Sequence, residues 1–252
     1  MPIVAADLIA YASANMPDTD SGVSGGAIDL LRFIDFTQIA ANDDIEVIST
    51  SASDTQNCTV EGRSTTGAIV SETKALTGTT AAIFSTIGVI ERVIKVELVS
   101  AAIGTITVRR SVAGATLRTI PVGGRGFMAI FRKCASSPSA QVDYYEKFFW
   151  KNTHGSLSLL AALVQQSADP DARITHLLAA AVNDTATTTT RVTVPAAADT
   201  QDPDTFDDTD KAVPGTDLAA GAAIGVWLRL RLPTADAAHR TTYTSQLAGN
   251  TV

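Results

Sequence analysis

The stretch 58–110 constrains the fold most, because short apolar alternations follow one another there, separated by turn residues. Residues 94–98 alternate aliphatic and charged side chains, and residues 105–109 alternate aliphatic side chains with threonine or arginine. Gly78 and Gly104 lie between such runs. Several short strands with a period of two, broken at regular intervals, predict an antiparallel sandwich or barrel.

The length of 252 residues accommodates two β-sandwiches of roughly 100 residues each. We expect an all-β protein with two antiparallel β-sandwich or jelly-roll-like domains. The predicted organisation is an N-terminal arm over residues 1–27, one domain over 28–134, a linker over 135–140 and a second domain over 141–252. The linker prediction rests on its small, polar, proline-containing composition.

Three further segments carry local predictions. Residues 225–232 read as the strongest strand, with Val226, Leu228, Leu230 and Leu232 on one face and Trp227 on the other. Residues 174–182 are predicted to be a buried strand, with an alanine-rich helix as the alternative. Residues 5–15 read as one short helix before a glycine-rich arm, and its apolar side chains are expected to contact another subunit. They are Leu8, Ile9 and Tyr11.

The charge balance bears on the class of partner. The formal net charge is −7, which argues against a primary nucleic-acid binder, because phosphate contacts need a basic face. No apolar run approaches the ~18 residues of a membrane span. The first residues carry no basic stretch and include Asp7, so we expect no secretory signal.

Motifs for catalysis are weak. Residues 22–26 match the G-x-S-x-G nucleophile pattern around Ser24, but no strand precedes them as that motif requires. The histidines, His154, His176 and His239, have no ligand at metal-binding spacing. We therefore expect no enzyme, no catalytic residue and no cofactor.

The two cysteines, Cys58 and Cys134, form no disulfide framework, and buried free thiols are the default expectation. The loop 199–210 holds six aspartates, which leaves a calcium site open as an alternative to a solvated or partner-docking loop.

Charge is distributed unevenly along the chain. Residues 98–142 contain six basic residues and no acid, whereas residues 199–210 contain six acids and no basic residue. Complementary charge across an interface fixes orientation and speeds encounter, so we predict that these segments dock between subunits. The residues chosen for this role are Arg109, Arg110, Arg118, Asp204, Asp207 and Asp208.

Several segments then carry a resemblance to a known family. They are residues 14–18 (ANMPD), 25–28 (GGAI), 60–63 (VEGR), 68–72 (AIVSE), 104–109 (GTITVR), 151–155 (KNTHG), 218–227 (LAAGAAIGVW) and 246–249 (QLAG). Together they resemble a family of tailed-bacteriophage virion proteins known only as structural. The resemblance covers most of the chain, contains no catalytic signature and transfers no site residues.

The resemblance implies a structural component of a tailed-phage virion, assembled in the bacterial cytoplasm. Our first expectation is a capsid decoration or cement protein. The expected partners are other copies of the chain, as a homo-oligomer, and the major capsid protein or neighbouring virion proteins, with no membrane. A head-tail connection, tail or baseplate protein is the alternative. A carbohydrate-binding adhesin, using exposed Trp150 or Trp227, is the alternative from another class.

Overall fold

The structure is a computed structural model, and it describes residues 2–169, 172–196, 206–237 and 242–251. A short 3₁₀ turn spans Ala5–Asp7. The strands of the described residues are β1 (Leu8–Asn15), β2 (Gly25–Phe33), β3 (Ile45–Ser49), β4 (Asn57–Ser64), β5 (Ile69–Ala75), β6 (Ala82–Phe84), β7 (Ile90–Leu98), β8 (Ile106–Arg110), β9 (Thr116–Ile120), β10 (Gly126–Met128), β11 (Val142–Asn152), β12 (Leu160–Ala168), β13 (Ile174–Val182), β14 (Lys211–Ala212), β15 (Ala223–Leu232) and β16 (Thr244–Asn250).

The predicted fold class is confirmed, because the described residues form several antiparallel sheets and no α-helix. The chain divides into two compact units. One joins Met1–Asp29 to Ile130–Val252, and the other is Leu30–Ala129. We call them the terminal unit and the central unit, and each is described by itself.

The terminal unit contains the strand order β13-β15-β11-β1 in one sheet and β14-β12-β16 in another. Its longest pairing joins β11 and β15 in continuous antiparallel register from Val142↔Leu232 to Lys151↔Ala223. Trp227 is fully buried and clusters with Tyr145, Leu177 and Phe206. The Trp150 Nε1 group donates a hydrogen bond of 3.1 Å to Ser245 Oγ, which links β11 to β16 of the other sheet.

The central unit contains the strand order β10-β7-β4-β5 in one sheet and β6-β3-β8-β9 in another. Val60, Val96, Val47 and Val108 on these strands are fully buried, because the apolar positions of each alternation point inward. The segment 58–110 therefore supplies most of this core, as its period of two predicts. β10 also pairs in parallel with the end of β2, at Gly126↔Arg32 and Phe127↔Phe33.

The structure corrects the prediction of a helix over residues 5–15 and an arm over residues 1–27. Residues 8–15 form β1, which pairs antiparallel with β11. Ala10 lies opposite Trp150 and Ala12 opposite Phe148, so each small side chain leaves room for a large aromatic ring. The pairing with β11, which the local sequence does not reveal, decides the conformation of these residues.

The predicted domain limits also change. The division falls after Asp29 and after Ala129, so the N-terminal segment belongs with the C-terminal part of the chain. The segment 135–140, predicted as a linker, lies inside the terminal unit. The Tyr144 hydroxyl donates to Ala135 O at 2.8 Å, and Ser136 Oγ donates to Asp236 O at 2.7 Å. These hydrogen bonds fix a sequence whose composition alone suggested a flexible connection.

Two strand predictions can be compared directly with β13 and β15. Residues 174–182 form β13, so the strand prediction is confirmed and the helix alternative is wrong. Burial holds for the first two thirds of the strand, whereas residues 180–182 are exposed. In β15, Val226, Leu228 and Leu230 are buried as predicted, while Leu232 is half-buried. Trp227 on the opposite face is buried too, because it packs in a cluster with Tyr145, Leu177 and Phe206.

Candidate functional site

The residues predicted to contact another subunit at the N-terminus are used within the chain. Leu8, Ile9 and Tyr11 lie in β1, opposite Asn152, Lys151 and Phe149 of β11. Tyr11 is buried, and Leu8 and Ile9 are half-buried. Much of their burial therefore comes from their own sheet, and a contact of Leu8 and Ile9 with a neighbouring subunit stays a prediction.

The predicted basic docking residues are paired inside the central unit. Arg109 Nε donates to Glu46 Oε1 at 2.5 Å, Arg110 lies 2.8 Å from Asp43, and Arg118 lies 2.5 Å from Asp35. These bonds join carboxylates and guanidinium groups that are far apart in sequence. The guanidinium of Arg118 also stacks over the Phe33 ring, 4.2 Å from its centroid.

These acidic partners neutralise the three arginines locally, and the docking of residues 98–142 on another subunit stays a prediction. The pairing of β3 with β8 places Glu46 directly opposite Arg109. Counting charges along the chain misses such cross-strand partners, because sheet neighbours come from distant parts of the sequence.

The acidic segment is described only in part. Asp204 lies outside the described residues. Asp207 Oδ1 accepts hydrogen bonds from Thr209 N at 2.9 Å and Thr209 Oγ1 at 2.7 Å, and it lies 2.9 Å from Lys211 Nζ. Asp208 is exposed. Within the described residues, no group of three or more histidine, cysteine, aspartate or glutamate side chains is placed to hold a metal ion.

The largest buried charge of the terminal unit is Arg191. Its side chain is fully buried and donates to Arg132 O at 2.6 Å, Pro17 O at 3.1 Å and Lys133 O at 3.3 Å. The carboxylate of Asp20 lies 3.2 Å from Nη2. The guanidinium thus holds together the segments 16–20 and 130–134 by hydrogen bonds, which is a structural role.

Glu146 on β11 lies beside this guanidinium and is itself buried. Its Oε2 accepts a hydrogen bond of 2.9 Å from Phe131 N, whereas its Oε1 lies 3.5 Å from Arg191 Nη1. Burial raises the pKa of the Glu146 carboxyl to about 7, against the opposing effects of the Phe131 amide and Arg191. Near neutral pH this carboxyl therefore changes charge inside the core.

The next residue, Lys147, points to the other side of β11 and is also completely buried. Its ammonium group contacts the Asp184 carboxylate and lies 3.2 Å from Gly26 O and 3.3 Å from Ala186 O. The rings of Phe149 and Trp227 lie 4.8 and 5.2 Å from Nζ. Burial lowers the pKa of Lys147, although the hydrogen bond from Nζ to Asp184 works in the opposite direction.

The remaining candidate side chains differ in burial: Cys134 and His154 are half-buried, and His239 lies outside the described residues. Cys58 and Cys134 are free thiols, and burial raises the pKa of Cys58 to about 12, which leaves it protonated. Ser24 is fully buried at the G-x-S-x-G match. His176 is fully buried, and burial lowers its pKa. Trp227, one of the two predicted sugar-binding aromatics, is also fully buried.

One end of the central unit instead exposes aliphatic side chains. We call it the loop end and define it by the loops 50–56, 77–81, 99–105 and 121–125. Val99, Ile103 and Val122 are 66%, 58% and 66% exposed. The loops that carry them are joined because Ala102 N donates to Gly124 O at 2.9 Å and Gly123 N donates to Ala102 O at 2.8 Å.

Asp54 holds the loop end from inside. This fully buried carboxylate accepts hydrogen bonds from Ile103 N at 2.9 Å, Gly104 N at 2.8 Å and Ser49 Oγ at 2.5 Å. Burial alone would raise the pKa of Asp54, but these hydrogen bonds outweigh it and hold the pKa below its usual range. The exposed Ile103 side chain therefore projects from a fixed backbone.

No charge cluster and no aromatic residue marks the loop end in the sequence. The available signal was the presence of aliphatic residues inside segments that read as turns, where polar residues are usual. Such residues are either buried or exposed for contact, and only the structure distinguishes the two cases.

Comparisons of the chain with protein-family models, with curated proteins and with solved structures find no match. Among the described residues, no helix has the length and apolar character that crossing a membrane requires.

Proposed function

We propose that this chain is a structural component of a tailed-phage virion, with a capsid decoration or cement protein as the first choice. One observation carries the proposal: the segments that resemble the phage structural family contact one another in the fold. The likeness therefore concerns residues that build the protein.

The contacts are specific. Residues 60–63 in β4 pair with residues 69–72 in β5, in the register Val60↔Glu72 to Arg63↔Ile69. These two runs belong to the segments 60–63 and 68–72 of the resemblance. Both runs lie in paired strands of one sheet. A likeness in paired strands supports a shared fold better than a likeness in an isolated loop does.

The same holds in the terminal unit. Asn152 Nδ2 donates a hydrogen bond of 3.0 Å to Leu218 O, and Gly221 N donates one of 2.9 Å to Asn152 O. These contacts join the segments 151–155 and 218–227. Asn15 Nδ2 donates to Gly25 O at 3.1 Å, which joins the segments 14–18 and 25–28.

The chemistry of the buried charges supports a structural role as well. Arg191, Lys147 and Asp54 each make several contacts to backbone groups of other loops. Groups used in this way specify loop conformation, which is what a protein that presents fixed surfaces to its neighbours needs.

The test is the location and copy number of the chain in purified particles. We expect quantitative mass spectrometry to find it in stoichiometry with the major capsid protein, and antibody labelling in electron micrographs to decorate the head. A few copies confined to the vertex or tail would indicate a connection, tail or baseplate protein instead. Absence from purified particles would refute the virion role.

The adhesin alternative has lost part of its basis, because Trp227 is buried and Trp150 is half-buried with its Nε1 group bonded to Ser245. Sugar binding by β-sandwich proteins uses exposed rings. Titration of the purified chain with a panel of oligosaccharides is expected to show no saturable binding.

A further inference from the structure

Lys147 and Asp184 form a buried contact that reaches across a strand of the terminal unit. Lys147 lies on β11 and Asp184 follows β13, and β15 lies between these two strands in the sheet. Two strand spacings amount to about 10 Å, so the lysine side chain must cross β15 to reach the carboxyl group. It does cross β15, because its Nζ contacts Asp184 Oδ2.

Gly225 of β15 provides the passage for this side chain. A Cβ atom at position 225 would lie 2.6 Å from Lys147 Cε and 3.3 Å from the Phe149 ring. Any larger residue would therefore block the path of the lysine. Glycine weakens the interior of a strand and often marks a place where another group approaches closely. In β15 it lies between the fully buried Ile224 and Val226, so the side chain is omitted where Lys147 passes.

The surroundings of the Lys147 Nζ are apolar on the side of the sheet. The lysine side chain has no exposed surface, and the rings of Phe149 and Trp227 lie 4.8 and 5.2 Å from Nζ. A buried pair of charges loses its hydration, so proton transfer from Nζ to the carboxylate costs less here than in water. Burial accordingly lowers the pKa of Lys147. The transfer yields a neutral amine, which is a nucleophile, beside a neutral carboxylic acid.

Three backbone oxygens orient the amine. They are Gly26 O at 3.2 Å, Ala186 O at 3.3 Å and Asp184 O at 3.4 Å from Nζ. A carbonyl oxygen only accepts hydrogen bonds, so the hydrogens of a neutral amine turn toward these oxygens and its lone pair turns toward the Asp184 carboxyl group. Reacting groups held and oriented in this way reach effective molarities of about 10⁵–10⁸ M.

The Asp184 carboxyl group is positioned as well. Ala186 N lies 3.2 Å from both Oδ1 and Oδ2 and donates to them. An N–H group in this position stabilises the negative charge that develops on a carboxyl oxygen when a nucleophile adds to the carbon. The side chain of Asp184 is 14% exposed, so a water molecule released there has a path to solvent.

We propose that Lys147 and Asp184 join in an intramolecular isopeptide bond. One proton passes from Nζ to Asp184 Oδ2, the lone pair of Nζ attacks Cγ, and negative charge forms on Oδ1 beside Ala186 N. A second proton then passes from Nζ to Oδ2, the Cγ–Oδ2 bond breaks and one water molecule leaves. The third hydrogen stays on the new amide and donates to a backbone oxygen. The reaction changes no oxidation state and consumes no co-reactant.

The bond replaces an ion pair by a covalent link between β11 and the segment that follows β13. It closes a loop over residues 147–184, and a closed loop restricts the unfolded chain. The terminal unit is thereby held together across β15. This inference goes beyond the proposed function and does not rest on it.

The intact mass of the purified full chain tests the inference, because the bond releases one water molecule. The protein is kept folded until its mass no longer changes, and it is then denatured and measured. We expect a mass about 18 Da below the value calculated for the chain from its measured N-terminus. Tryptic digestion should yield residues 134–151 joined to residues 174–191, since trypsin does not cleave after an acylated Lys147.

Two variants and a matched control locate the bond. Lys147→Arg keeps the positive charge and Asp184→Ala removes the carboxyl group, and each should retain its full calculated mass. Lys151→Arg is the control, because Lys151 lies on the same strand and its exposed ammonium contacts Gly221 O. This variant should lose water as the wild type does. The mass of the wild type decides the question even where a variant does not fold.

A wild-type mass that stays at the calculated value would overturn the inference. Loss of water that persists in Lys147→Arg would overturn it too, because the loss would then come from another site. Neither result bears on the virion role, which the composition of purified particles tests separately.

Discussion

Replacing Glu146 with glutamine should change how the stability of the terminal unit depends on pH. The carboxyl is fully buried, and burial raises its pKa from 4.5 to about 7. Glutamine keeps the shape of the side chain and an oxygen that accepts the hydrogen bond from Phe131 N, but it cannot ionise. The comparison therefore isolates the cost of a charge at this position.

The magnitude follows from the shift. Below pH 4.5 the carboxyl is protonated in both the folded and the unfolded chain. As the pH rises from 4.5 to 7, the unfolded chain releases this proton while the folded chain retains it, so the free energy of unfolding falls. Above pH 7 both states are ionised and the loss is complete. At about 1.4 kcal/mol per pH unit, the wild type loses about 3 kcal/mol relative to Glu146→Gln.

The assay is urea unfolding followed by tryptophan fluorescence at several pH values from 4.5 to 8. Both tryptophans of the chain, Trp150 and Trp227, belong to the terminal unit, so the signal reports the unit that contains Glu146. Taking the difference between wild type and variant cancels the titration of the other carboxyl groups.

A flat difference over this pH range would show that the carboxyl is not desolvated as the structure indicates. A wild type that gains stability relative to the variant as the pH rises would show that Arg191, 3.5 Å away, holds the carboxylate ionised. Either result would refute the reasoning that burial outweighs the ion pair at this site.

Three further changes have expected outcomes. Deleting residues 2–16 should unfold the terminal unit, because β1 pairs along β11. Native tryptophan fluorescence in the deletion variant would show instead that these residues form an arm. Lys147→Met should lower the free energy of unfolding by urea by about 3–5 kcal/mol, because the Asp184 carboxylate loses its buried partner. The control is Lys151→Met, since the ammonium group of Lys151 is exposed. A smaller loss for Lys147→Met than for this control would contradict the prediction. Leu228→Ala, in a strand with both faces covered, should cost about 2–5 kcal/mol, and a negligible change in the urea midpoint would show that the site is not packed.

Of the candidate site, little followed from the sequence. Arg109, Arg110 and Arg118 are paired within the central unit. Asp207 is paired with Lys211 in the terminal unit, and Asp208 is exposed. The residues chosen at the N-terminus lie in β1. The exposed side chains of the loop end could not be predicted, because exposure depends on which side chains the rest of the fold covers. Ile103 and Ile106 are the same residue type three positions apart, yet one is 58% exposed and the other is fully buried.

The sequence by itself determined the fold class and the positions of the strands that carry a clear period of two. β7, β8, β13 and β15 lie where alternation or an apolar run placed them, because the direction of a side chain in a strand depends only on its position along the chain.

The tertiary structure decided which segments pair. It turned the alanine-rich residues 8–15 into a strand against the aromatic β11, and it placed residues 1–29 with the C-terminal part of the chain. It also brought Glu46 opposite Arg109. These outcomes depend on the packing of residues far apart in sequence, which no local pattern encodes, because a strand's partners are selected by the side chains that fit beside it.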